Sequence, residues 1–88
     1  MRRAARIDAN QTQVIEALRA AGASVWIIGL PVDLLVGYKG QTVLVEIKDG
    51  PKKRLTALQE AFFAKWAGGT LVRVDGPEAA LRMIGVMK

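Results

Sequence analysis

The sequence contains no cysteine and no histidine. The first absence excludes a disulfide framework and thiolate metal sites, and it fits a reducing compartment. The second excludes a His-ligated zinc, a Ser-His-Asp triad and a histidine general base. A bound metal would therefore meet only oxygen ligands, which points to magnesium or manganese. No apolar run approaches the ~20 residues that span a bilayer, so no membrane partner is expected. Met1-Arg2-Arg3-Ala4-Ala5-Arg6 is basic with no apolar segment behind it, unlike a secretory signal. Repeats, linkers and low-complexity tracts are also absent.

What is present is enough for a core. The 88 residues, 51% hydrophobic, read as a single domain over 1–88. The formal net charge of +5 suits a polyanionic partner such as nucleic acid.

Along the chain, Asp8 to Ala21 reads as a helix. Asp8 can cap it with Gln11 as the return partner of a capping box, and Gln11, Val14, Ile15 and Leu18 share one face. Gln11 heads that apolar stripe, so capping and a site role are both open to it. Ser24 to Ile28 reads as a strand, Gly29-Leu30-Pro31 as a turn, and Val32 to Val36 as a second strand. A short turn over Gly37-Tyr38-Lys39-Gly40 returns the chain as a hairpin into a third strand, Gln41 to Lys48. Asp49-Gly50-Pro51 breaks it, and Lys52-Lys53-Arg54 is a basic loop. A second helix spans Leu55 to about Ala67 with the stripe Leu55, Leu58, Phe62, Phe63 and Trp66. Gln59 fills the remaining slot of that stripe and so points at the sheet, or else closes a cap with Thr56 if the helix starts at Ala57. Thr70 to Val74 is a fourth strand, and Glu78 to about Met83 a last helix. The expected fold is α/β, in the order α-β-β-β-α-β-α. A crossover helix pairs the third and fourth strands in parallel within a mixed four-stranded sheet flanked by helices.

The third strand, Thr42-Val43-Leu44-Val45-Glu46-Ile47-Lys48, is apolar and ends in two opposite charges. Buried charge without partners is expensive, so both ends call for partners. If Tyr38 and Lys39 form the turn, Asp33 faces Leu44. Asp33 then shares a face with Glu46 and Lys48, with the Asp33 and Glu46 β-carbons diagonal and roughly 7 Å apart. A turn longer by one residue would separate them onto opposite faces. Two carboxylates so placed can converge on a magnesium-type cation, with the Ile47 carbonyl as a further ligand. Lys48 could neutralise transition-state charge or orient and help deprotonate water, and Gln59 could support a carboxylate, the lysine or the water. A phosphodiester is the natural substrate for that set. The plainer reading of Glu46-Ile47-Lys48 is a structural ion pair.

Asp33 followed by Glu46-Ile47-Lys48 at a strand end, in this order of elements, resembles the PD-(D/E)xK nuclease superfamily. Leu55-Thr56-Ala57-Leu58-Gln59 with Phe62, and the later Leu71-Val72-Arg73-Val74 and Pro77-Glu78-Ala79-Ala80, are similar to the VRR-NUC family. That is a phage and bacterial nuclease group related to Holliday junction resolvases. The resemblance implies a restriction-endonuclease-like fold. It also implies a magnesium-dependent (or manganese-dependent) endodeoxyribonuclease acting in the cytoplasm on branched or duplex DNA in repair or recombination. The small stand-alone members are often homodimers. It assigns metal binding to Asp33, Glu46 and the Ile47 carbonyl, catalysis to Lys48 and support to Gln59. Three features depart from the family pattern. Val32 separates Pro31 from Asp33, the loop before Asp33 is short, and the first helix has no glutamate on its apolar face, leaving Asp8, Asn10 and Gln11 as candidate contributors, with Gln11 preferred. Lys52, Lys53 and Arg54 follow the charged strand end and are expected to hold flanking phosphates. The competing expectation is a non-catalytic nucleic-acid-binding domain with the same fold, and a third is a small protein-interaction module.

Overall fold

In a computed structural model, the structure describes residues 9–50 and 52–88. The elements are α1 (Ala9–Ala20), β1 (Ser24–Ile27), β2 (Leu34–Tyr38), β3 (Gln41–Ile47), α2 (Ala57–Lys65), β4 (Thr70–Val74) and α3 (Pro77–Met83). The order is the expected one. The sheet runs β1-β2-β3-β4, antiparallel across the first two pairs and parallel between β3 and β4. The crossover through α2 accounts for the parallel pair, because a tight turn can join only antiparallel strands. The expected Asp8 cap lies outside the described residues.

One face of the sheet carries the core. Val25, Leu34, Val36, Val43, Val45, Ile47 and Val74 alternate onto it, as the period of two in a strand requires. Val14, Ile15 and Leu18 of α1 and Ala80 of α3 join them in one cluster. The helical stripe read from the sequence is therefore the one that is buried.

Two boundaries differ from expectation. The second strand starts at Leu34 and continues through Gly37 to Tyr38, and the turn is Lys39-Gly40. Both turn residues have positive φ, 49° and 81°, the signature of a type I′ hairpin turn, whose twist matches that of the flanking strands. The pairing is Leu34↔Val45 and Leu35↔Leu44. One further step of that register sets Asp33 opposite Glu46, and the predicted pairing with Leu44 is corrected. The slip amounts to two residues, so the shared face survives: parity, not spacing, decides which side a side chain takes.

The second correction concerns α2. Thr56 caps it, and the helix starts at Ala57, so Leu55 precedes it. None of its residues is fully buried, and Leu58 is 82% exposed. Adjacent helical positions lie about 100° apart. Turning Gln59 toward the sheet therefore rotates Leu58 away from it. Phe62, Phe63 and Trp66 pack on one another instead, with Phe62 and Trp66 centroids 5.2 Å apart. The Trp66 indole Nε1 donates to the Gly69 carbonyl at 2.7 Å and lies over Gly68, where a β-carbon would run into the ring.

Candidate functional site

The face opposite the core carries Leu35, Leu44, Glu46 and, one strand over, Arg73. Glu46 is 3% exposed and is the one buried charged residue among those described. Three neighbours surround it. Gln59 Nε2 donates to Glu46 Oε2 at 2.8 Å, and Lys48 Nζ stands 3.4 Å from the same oxygen. Asp33 is close enough to shift the charge state of Glu46.

Each partner is placed by local chemistry. Lys48 is two residues beyond Glu46 and so shares its face; its side chain is 16% exposed. Gln59 is the third residue of α2. Its Oε1 accepts from the Thr56 N–H at 3.0 Å, and its own N–H donates to Thr56 Oγ1 at 3.2 Å, a complete capping box. The two sequence readings of Gln59 are thus both realised in one amide: oxygen to the helix start, nitrogen to the carboxylate. Asp33 precedes β2, and its Oδ2 accepts the Ile47 N–H at 2.8 Å. The N–H and C=O of one strand residue point to the same side, so the Ile47 carbonyl also lies on the Asp33 side.

Burial pushes the Glu46 carboxyl above the ordinary glutamate range, and the Asp33 charge adds to that push. Lys48 and the Gln59 hydrogen bond pull the other way. Glu46 Oε1 is buried with no hydrogen-bond partner. Such an atom is costly to leave unmatched, and a cation is a partner that suits a carboxylate oxygen. No group of three or more acidic side chains suited to a metal occurs among the described residues. A divalent ion here would have two carboxylates, Asp33 and Glu46, and the Ile47 carbonyl as its protein ligands, with water in the remaining positions. That fits magnesium, which keeps several waters.

The predicted residues divide as follows. Asp33, Glu46, Ile47, Lys48 and Gln59 come together. Lys52, Lys53 and Arg54 are exposed on the segment that leaves β3. Gln11 is half-buried near the start of α1, where Asn10 Nδ2 donates to the Asp75 carbonyl just past β4. That is the end of the sheet where Glu46 sits, but α1 packs in the layer on the opposite face from Gln59. Sequence reasoning missed Arg73, which stands beside Glu46 in the parallel ladder. The signal was there, since a charge inside the apolar strand Leu71-Val72-Arg73-Val74 is as unexpected as Glu46 in β3. No protein-family model matches this chain, nor does any curated protein or solved structure. No helix among the described residues is long and apolar enough to cross a membrane.

Proposed function

We propose that the protein is a metal-dependent DNA endonuclease that hydrolyses phosphodiester bonds in branched or duplex DNA. The observation that carries this reading is the unpartnered Oε1 of buried Glu46, beside Asp33 and Lys48. Asp33, Glu46 and the Ile47 carbonyl would hold a magnesium or manganese ion. Such an ion supplies Lewis-acid stabilisation of charge at the scissile phosphate. The chain's own residues do the rest. Gln59 and Lys48 both engage Oε2, which fixes the carboxylate and leaves Oε1 without a hydrogen bond, so that it would be available to the ion. The Ile47 N–H holds Asp33. Lys48 brings a positive charge to the phosphoryl group and orients the attacking water. Lys52, Lys53 and Arg54 hold flanking phosphates, as exposed cations next to the site can. A single site per chain cuts one strand, so cleavage of both strands calls for a homodimer. A cytoplasmic place of action, in a bacterial or phage-infected cell, accompanies this reading.

The test is cleavage of plasmid and four-way-junction DNA with magnesium or manganese. Asp33→Ala, Glu46→Ala and Lys48→Ala are each expected to lose activity by about 10²-fold or more. Equal nicking by wild type and all three variants would sink the assignment. A second reading, a non-catalytic nucleic-acid-binding domain, draws on the closed Lys48–Glu46 pair and the exposed basic loop, which needs no metal. Calorimetry separates the two: salt-sensitive DNA binding with no uptake of magnesium or manganese favours the binder.

A further inference from the structure

Arg73 is the register partner of Glu46 in the parallel ladder and shares its face. Opposite charges so placed ordinarily pair across the strands. These two do not: the cation on Glu46 is Lys48, and Arg73 is not among the groups that shift Glu46. Arg73 is half-buried, and its Nη2 donates to the Gly50 carbonyl at 3.1 Å and to the Lys53 carbonyl. The Lys53 N–H donates in turn to the Gly50 carbonyl at 3.3 Å. One guanidinium group therefore ties together both ends of the segment that carries the exposed cations. Lys52, Lys53, Arg54, Leu55, Glu60 and Arg73 line a single groove there.

We infer that Arg73 is the positioning residue of a phosphate-binding surface. By holding the Gly50 and Lys53 carbonyls, it keeps Lys52, Lys53 and Arg54 beside the Glu46 site, where they engage the backbone of a nucleic acid on either side of the scissile phosphate. A free loop of three cations would attract the same polyanion but would have to be ordered on binding, at an entropic cost that the clamp removes in advance. The inference rests on the nucleic-acid reading above and concerns binding, so it is testable without turnover.

The experiment measures binding of fluorescent duplex DNA in EDTA by anisotropy over a range of salt concentrations. Wild type is compared with Arg73→Gln, with Lys52→Gln/Lys53→Gln/Arg54→Gln, and with all four changes together. Amide hydrogen exchange over residues 50–54 is followed in parallel. A single directly contacting cation accounts for roughly 0.9 in the slope of log K against log salt. Arg73→Gln is expected to lower the slope by more than that, to weaken binding by about tenfold or more at moderate salt, to speed loop exchange, and to add nothing once the three loop cations are gone. Arg73→Lys, which keeps the charge with a shorter reach, is expected to fall between wild type and Arg73→Gln and serves if the glutamine variant does not fold. A drop near 0.9 that adds fully to the loop changes makes Arg73 an ordinary phosphate contact and overturns the inference. An unchanged slope overturns it as well, while leaving the nuclease reading intact. Absence of DNA binding by the wild type, with loop exchange still faster in Arg73→Gln, would retain the clamp but remove its polyanion, overturning both the inference and the nucleic-acid reading.

Discussion

Glu46 combines burial, a raised pKa and an unmatched oxygen, and these set how stability depends on pH. In acid, both folded and unfolded chains hold the Glu46 proton. As pH rises past the ordinary value of 4.5, the unfolded chain releases it first, because burial and Asp33 raise the value in the fold. Stability from this group is thus complete below 4.5 and lost as pH climbs through the raised folded value. Glu46→Gln removes that loss. The variant is expected to melt above wild type at neutral pH, to converge with it in acid, and to be inactive; thermal unfolding by circular dichroism across pH checks the first two. A lower melting temperature for the variant at neutral pH would contradict the account. Gln59→Ala takes a different toll. It opens the capping box and removes the hydrogen bond to Glu46 Oε2, and is expected to cost about 2 kcal/mol in denaturant unfolding. A cost near zero would mean that α2 neither needs its cap nor leans on the carboxylate.

At the scale of elements, the hairpin invites a change that should help. Lys39 sits at φ 49° before Gly40, a place where asparagine is favoured and lysine is strained. Lys39→Asn is expected to raise stability by about 0.5–1 kcal/mol, measured by urea unfolding, and a loss would argue against the type I′ geometry. The Gly68→Ala change should act in the opposite direction. Its new methyl meets the Trp66 ring, so the indole must leave and its bond to Gly69 is lost, at about 1 kcal/mol; tryptophan fluorescence should shift to the red as Trp66 enters water. The same elements show how far the sequence could be read. Hydrophobic periodicity sufficed for α1, β3, β4 and the order of the fold, because each buries one clear face. The gathering of Asp33 with Glu46 was legible for a sturdier reason, since parity tolerates a two-residue error in the turn. The phase of α2 was legible at Gln59 but not at Leu58, which was read into the buried stripe and is exposed. The apolar side chains of the helix outnumber the places the sheet offers, and the choice of which face turns inward fell to a polar contact between Gln59 and Glu46. Arg73 marks itself as a charge in an apolar strand, but its partners are the Gly50 and Lys53 backbone carbonyls, which leave no mark in the pattern of side chains, so its role was not legible.

Across the whole molecule, the two faces of the sheet are unequally covered. α1 and α3 close one, whereas α2 only partly shields the other, and Trp26 (70% exposed), Leu30 and Leu58 remain open to solvent. The homodimer proposed for double-strand cleavage is expected to appear in sedimentation; a monomer with and without DNA would remove it. Leu58→Glu, at a position that supports no core in the single chain, should leave the free energy of unfolding within about 0.5 kcal/mol of wild type. The bond between the Asp33 carboxylate and the Ile47 N–H has a consequence at this scale too. A side chain closes the open end of the hairpin where a backbone carbonyl would ordinarily stand, so one amide proton reads the charge on that carboxylate. In a ¹⁵N-labelled sample the Ile47 resonance becomes a resident spectator of the site, moving when a divalent ion draws on Asp33 and holding still when an ion merely decorates the basic surface.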